Sequence, residues 1–365
     1  MANLEIQNVF KKYGNTAAVN GVSLKVTSGT FAVILGPSGS GKTTLLRCVA
    51  GFEKPDSGSI LIDGNPVTDL PPRDRDLAMV FQSYALFPLM TIRDNIAFPL
   101  KVRNTPKAEI DTMVSKVADL LLIKHLLDKK PGQLSGGEQQ RAALGRALVR
   151  QPNAVLMDEP LTSLDAPLRA QMRTELKRIR RETQLTAIYV THDQAEAMGL
   201  ADMIAVMNGG HLMQYGKPLD VYSKPENSFV AGFVGNPPTN VLNGRFSLGR
   251  GGGFVKVDQS SIPIDGASAN VIKEKVGDNA DILVGIRPED VDVSTSRRSE
   301  ADLEIVVESI EPLGSSVVIS ALVDEKIFRL VEPPERVVAP GQHLWLSWDA
   351  NKMHFFERQG GGLIL

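Results

Sequence analysis

The chain of 365 residues contains a single cysteine, Cys48, so no disulfide can close within it. No run approaches the roughly 18 apolar residues that a membrane span requires, so the chain is not expected to cross a bilayer by itself. The opening MANLEIQNVFKKYG has neither the basic start nor the continuous apolar core of a signal peptide. These absences together lead to the expectation of a cytoplasmic setting. Lys and Arg number 40 against 42 Asp and Glu, and a net charge of −2 gives no overall electrostatic footprint for nucleic acid. No nucleic-acid partner is therefore expected. With 42% hydrophobic and 22% charged residues, the composition is that of a soluble globular protein, and the length suffices for two domains with separate cores.

Glycine is concentrated where it carries information. The stretch AVILGPSGSGKTTLL begins as an apolar strand, FAVIL over 31–35, and ends as a helix with Leu45, Leu46 and Val49 on one face. Between them lies G-x-x-x-x-G-K-T, from Gly36 to Thr43. Such a loop turns successive backbone N–H groups toward an anion, while the helix behind it presents its positive end to the same place. The pattern predicts a polyphosphate site in which Lys42 reaches the β- and γ-phosphates and the Thr43 hydroxyl binds Mg²⁺.

A second apolar run, AVLMDEP over 154–160, ends in two carboxylates. At a strand end beside a phosphate loop, Asp158 is placed for the Mg²⁺ shell and Glu159 for the attacking water. A third run, LTAIYV over 185–190, ends in Thr191 and His192, offering a polar sensor at the same edge. Three parallel strands with such ends predict ligand chemistry at one sheet edge.

The run LSGGEQQRAALGRAL, 134–148, begins a helix at Ser135, Gly136 and Gly137, which makes a second anion site distinct from the first. This run closely resembles the signature motif of the ATP-binding cassette (ABC) family. Other pieces follow in the family's order: Tyr13 in FKKYG, the phosphate loop, Gln82 in VFQSYALFP, Asp158 and Glu159, SLD at 163–165, and His192. The resemblance runs over about 1–235. It implies an α/β P-loop ATPase domain over 1–235 with a helical subdomain at about 89–150, an arm that Gln82 moves. It further implies that Tyr13 stacks on adenine, that Ser38, Gly39, Ser40, Gly41, Lys42, Thr43 and Thr44 enclose the phosphates of ATP, and that Gln82 senses Mg²⁺ and the γ-phosphate. On the same basis Glu159, His192 and Gln82 are the catalytic set, and Thr43, Gln82 and Asp158 hold the metal. Ser135, Gly136 and Gly137 would serve the ATP of a second subunit, with Asp165 near the seam of a head-to-tail homodimer.

Elsewhere, the alternating runs LEIQNV, VSLKV and SILID predict an antiparallel sheet. In the helix expected over 166–183, Leu168, Met172, Leu176 and Ile179 form an apolar stripe, and KRIRR reads as its solvated face. Proline and glycine mark a boundary near 236, and 236–365 is β-rich, with runs such as VVISALV and KIFRLV between turns. GNPPTNVLNG, VGIRPEDV and VESIEPLGSSVVI resemble the C-terminal domain of importer ATPases for sugars and related solutes, built of small OB-like barrels. RGGG and QGGGLIL read as flexible. The resemblance implies the energising subunit of a bacterial importer, at the cytoplasmic face of the membrane. Its partners would be two membrane permease subunits docking near the Gln82 loop and, indirectly, an external solute-binding protein. Sugars, polyols or glycerol phosphates are the favoured solutes; polyamines, iron and sulfate share the plan, and a soluble non-transport ABC ATPase is the rival from another class. Two departures stand out: Glu138 in place of the usual Gln, and LTSLD in place of the commoner LSNLD.

Overall fold

The computed structural model describes residues 2–299 and 301–365. Two compact units divide it, Met1–Leu219 and Asp220–Leu365. In the first, a six-stranded sheet runs in the order His211–Gly216, Met203–Asn208, Phe31–Leu35, Ala187–Thr191, Ala154–Asp158, Leu77–Val80. All its pairings are parallel except that of the two strands at 203–216, which form an antiparallel hairpin. Phe31–Leu35 is wholly buried, as a strand with neighbours on both edges and cover on both faces must be, and this is why its sequence is apolar without alternation. The register sets Leu35 beside Thr191 and Asp158 beside Val190. Three loops therefore leave the sheet at one edge: the glycine loop, Glu159 and His192.

Beside it lies a second sheet, in the order Thr16–Val26, Leu4–Tyr13, Ser57–Ile62, Asn65–Pro66, all antiparallel. Between Gln82 and Val149 the chain is mainly helical, with helices Ile92–Val102, Lys107–Leu120 and Gly136–Leu148. Helix Ala166–Thr183 buries Met172, Leu176 and Ile179 of the expected stripe, while Leu168 in its first turn is only half-buried. Its basic run is not simply a solvated face. Arg178 donates to the Leu120 carbonyl at the end of Lys107–Leu120 and pairs with Glu175 and Glu182, while Arg180 reaches the Leu200 carbonyl and Asp202. Two of the arginines thus fasten the helix to its neighbours.

The second unit contains two five-stranded antiparallel sheets. One runs Ser260–Asp265, Gly252–Val257, Asn240–Gly249, Asp281–Ile286, His354–Glu357; the other runs Val291–Ser294, His343–Trp348, Leu303–Pro312, Val317–Val323, Lys326–Glu332. Residues of both sheets share one apolar core, Phe246, Ile282, Ile319, Phe328 and Leu346 among them. The short helices Pro218–Ser223 and Ser228–Phe233 precede the boundary expected at 236, yet 220–235 falls with the β-rich unit. The reason is Arg287. Its guanidinium donates to the carbonyls of Tyr222 and Val234 and lies 3.8 Å from the centroid of the Tyr222 ring. The glycine tail, expected to be flexible, is pinned as well: Ser228 N–H donates to the Gly361 carbonyl at 2.8 Å, and Ile364 is buried. Likewise Gly252 and Gly253 of RGGG open a strand of the first of these sheets.

Candidate functional site

The glycine loop forms where strand Phe31–Leu35 must turn into helix Lys42–Ala50 in six residues. Gly39 and Gly41 take φ of 78° and 96°, the left-handed region that side chains disfavour. At Gly41 a Cβ would also meet the Ala18 carbonyl oxygen at 2.0 Å. Lys42 is folded back into the loop, its Nζ donating to the carbonyls of Gly36 and Pro37 at 2.9 Å each. Burial pushes its pKa down, so the ammonium sits where an added anion would stabilise it. Ser40 is buried, and among the described residues its hydroxyl has no hydrogen-bond partner. An unpaired buried hydroxyl inside a loop of inward N–H groups fits a polyphosphate.

Thr43, on the first turn of the helix, donates its hydroxyl to Asp158 Oδ1 at 2.9 Å. Burial raises the Asp158 pKa, opposed by this hydrogen bond. The two oxygens bring a hard, partly desolvated donor set to the mouth of the loop, which fits a Mg²⁺ entering with the phosphates. Next along, Glu159 takes φ of 45°, and its Oε2 lies 3.1 Å from His192 Nδ1 and 3.3 Å from the Thr162 hydroxyl. The structure thus brings Lys42, Thr43, Asp158, Glu159 and His192 to one edge. Tyr13, at the end of its strand, exposes 47% of its surface and so leaves a ring face open to stacking. Gln82 is exposed, and among the described residues no hydrogen bond joins it to Thr43 or Asp158.

Ser135, Gly136 and Gly137 form a separate helix start. The Ser135 hydroxyl accepts from Glu138 N–H at 3.4 Å, and Glu138 Oε2 accepts from the Ser135 N–H and hydroxyl at 2.8 and 2.9 Å, a complete capping box. These bonds hold the Glu138 pKa below the usual carboxylate range. The unusual glutamate is thus spent on its own helix. Among the described residues no hydrogen bond joins either side chain to the glycine loop. Asp165 caps the helix Ala166–Thr183, accepting from Leu168 N–H at 2.9 Å.

Beyond these, side chains that the motifs do not mark hold the site together. Arg169 donates to the Leu164 carbonyl at 2.9 Å and to Asp193 at 3.2 Å, which ties the turn before Asp165 to the turn after His192. Buried Glu196 accepts from Tyr189 and Thr191 at 2.7 and 2.8 Å behind the strand that carries His192. Arg146 donates to the carbonyls of Tyr84 and Ala85, and Tyr84 turns inward to Ser163. The partners of Arg146 and Tyr84 lie 61 to 79 residues away, so no local pattern announces them, and the contacts of Arg169 with Leu164 and of Glu196 with Tyr189 and Thr191, only five to seven residues apart, follow no motif spacing.

The ABC transporter family profile matches residues 19–162, the MalK OB fold domain 235–291 and the TOBE domain 284–356. Over its whole length the chain is 45% identical to the trehalose/maltose import ATP-binding protein MalK of Thermococcus litoralis, covering 100% of both chains. The chain belongs to the ABC transporter ATP-binding subunits. Another member, the sn-glycerol-3-phosphate import ATP-binding protein UgpC of Cupriavidus pinatubonensis, is 43% identical over 100% of both chains. The oligosaccharides import ATP-binding protein MsmX of Bacillus subtilis is 41% identical over 98% of each. Among solved structures, the ATP-binding cassette MJ0796, a dimer in a post-hydrolysis state bound to ADP and Pi, superposes with a TM-score of 0.52 and 31% identity, over 59% of this chain and 98% of that one. The cbiO1 subunit of Clostridium perfringens gives a TM-score of 0.56 at 29% identity, over 60% and 90%. As an ABC ATPase, this chain binds ATP, and its second unit is of the OB and TOBE kind.

Proposed function

We propose that this ABC ATPase hydrolyses ATP to drive solute import through a pair of membrane permease subunits, working as a dimer at the cytoplasmic face of the membrane. One observation carries the chemistry: Thr43 and Asp158, 2.9 Å apart, adjoin Glu159 and His192, 3.1 Å apart, at the mouth of the glycine loop. Ser38, Gly39, Ser40, Gly41, Lys42, Thr43 and Thr44 hold the phosphates, and Tyr13 stacks on the adenine. Thr43, Asp158 and Gln82 would hold a Mg²⁺ accompanying the nucleotide, which would neutralise phosphate charge. Glu159 accepts the proton of the attacking water, and His192 fixes the carboxylate and contacts the γ-phosphate. Ser135, Gly136, Gly137 and Asp165 complete the site of the opposite subunit. Dimeric MJ0796 with ADP and Pi supports that arrangement, as does the separation of the two anion sites within one chain.

Among the described residues no helix is long and apolar enough to cross a membrane, which fits a peripheral subunit held by permease partners. A groove of about 600 Å³, lined by Phe81, Ala85, Phe87, Phe98 and Arg146 among others, follows Gln82 and is suited to a short amphipathic permease helix. An external solute-binding protein acts on the permease side. The named substrates of its full-length relatives, trehalose/maltose, oligosaccharides and sn-glycerol-3-phosphate, support a sugar, polyol or glycerol phosphate as the solute.

The experiment is Glu159→Gln, which keeps shape and removes the base. ATP binding persists while hydrolysis falls by several orders of magnitude, read by nucleotide titration and phosphate release. Hydrolysis near the parental rate would remove Glu159 from the base role. Uptake assays with sugars, polyols and polyamines, on the permease pair that co-purifies, discriminate the solute class.

A further inference from the structure

Behind the groove just described, the Gln82 loop has an inward face. Tyr84, though it follows two exposed residues, is only 7% exposed. Tyr84 and Ala85 take φ of 60° and 48°, a left-handed pair of non-glycine residues that costs conformational energy unless the surroundings hold it. Those surroundings are visible. The Arg146 guanidinium, from helix Gly136–Leu148, donates to the Tyr84 carbonyl at 2.9 Å and the Ala85 carbonyl at 2.6 Å. The same guanidinium lies 5.7 Å from the centre of the Phe87 ring, which lines the groove.

At its far end the Tyr84 hydroxyl stands 2.7 Å from the Ser163 hydroxyl. Ser163 sits in the short turn between Glu159 and Asp165. Within that turn the Thr162 N–H donates to the Glu159 carbonyl at 3.3 Å, and the Thr162 hydroxyl reaches Glu159 Oε2 at the same distance. One rigid phenol therefore spans from the back of the groove to the turn that carries the hydrolytic carboxylate. A tyrosine has few soft torsions, so a shift of its backbone is delivered at its hydroxyl with little loss.

We propose that Tyr84 and Ser163 form a latch that transmits movement of the groove to the turn bearing Glu159, making both positioning residues for hydrolysis in the assembled importer. The proposal rests on the reading of the groove as the permease docking surface. It concerns coupling alone: neither hydroxyl touches nucleotide, and the isolated subunit does not need the latch to bind or cleave ATP.

The test compares ATPase rates of the isolated subunit and of its complex with the co-purified permease pair, in detergent, for the parent, Tyr84→Phe, Ser163→Ala, the double variant and Ser163→Thr. Both single variants keep the parental isolated rate and KM for ATP. In each, the ratio of complex to isolated rate falls about fivefold, the scale of one net hydrogen bond. The double variant falls no further than the singles, and Ser163→Thr, which keeps a hydroxyl, retains the parental ratio. A parental ratio in either single variant, or an equal loss in the isolated subunit, overturns the latch. Phe87→Asp separates the two readings. It abolishes permease co-purification if the groove is the docking surface, whereas undiminished co-purification removes the docking reading whatever the latch variants do.

Discussion

Cys48 shows how environment governs a single residue's chemistry. It lies on helix Lys42–Ala50 directly behind the phosphate loop, fully buried, and burial pushes its thiol pKa up to about 11. A thiol that remains protonated and out of reach is a small core residue, not a nucleophile. The native subunit is therefore expected to resist maleimide or iodoacetamide at pH 7–8, with labelling appearing only on unfolding in denaturant. Stoichiometric labelling of the folded protein within minutes would contradict this. Nearby, Arg75 carries its charge into the core by donating to the carbonyls of Cys48, Val49, Thr68 and Leu70. Among the described residues it has no carboxylate ion-pair partner, and it caps the end of the phosphate-loop helix through the negative end of the helix dipole instead.

At the scale of the element, helix Gly136–Leu148 depends on its cap. Glu138 closes the box with Ser135 through two short hydrogen bonds, and the lowered Glu138 pKa means that the ionised form is the one the fold favours. A carboxyl whose folded pKa lies below its unfolded value of about 4.5 contributes stability above that pH and loses it as pH falls through the folded value. Glu138→Gln should lower the melting temperature of the cassette unit by about 1–2 °C at pH 7. That difference should shrink as pH is lowered below about 4.5, followed by calorimetry. A constant difference across pH would mean that shape, not charge, makes the cap. Since Ser135 is also a proposed nucleotide contact for the partner subunit, its hydroxyl must exchange the Glu138 carboxylate for a phosphate when the dimer closes.

For the whole molecule, the division at Leu219 and Asp220 makes a prediction about where the chain can be cut. Residues 220–235 pack into the β-rich unit through Arg287, Ser228 and the glycine tail, burying Val221, Val230, Ala231 and Val234. A fragment ending at 235 keeps those apolar side chains without their cover. The fragment 1–219 should accordingly express as a more soluble protein than 1–235, and light scattering on the two at equal concentration checks it. Both should bind ATP, because every proposed nucleotide contact precedes residue 219. If the β-rich unit holds two cassettes near each other between cycles, both fragments should hydrolyse ATP with a steeper dependence on protein concentration than the full chain. An equal dependence would leave that unit without a pairing role.

What the sequence determined by itself was local. The glycine loop, the strand ends at Asp158, Glu159 and His192, the capping serine at 135 and the apolar stripe of Ala166–Thr183 each draw their geometry from residues within a few positions, so spacing alone encodes them. The alternation in VVISALV and KIFRLV similarly specified strands, though not which neighbours they would take. Only the tertiary structure decided that Tyr84 faces inward, 79 residues from its partner Ser163. It likewise decided that Arg178 serves Leu120 across 58 residues, that 220–235 belongs with the β-rich unit, and that the glycine tail is fixed. Contacts of that separation depend on which surfaces the folded sheets bring together, and no pattern in a short window carries that information.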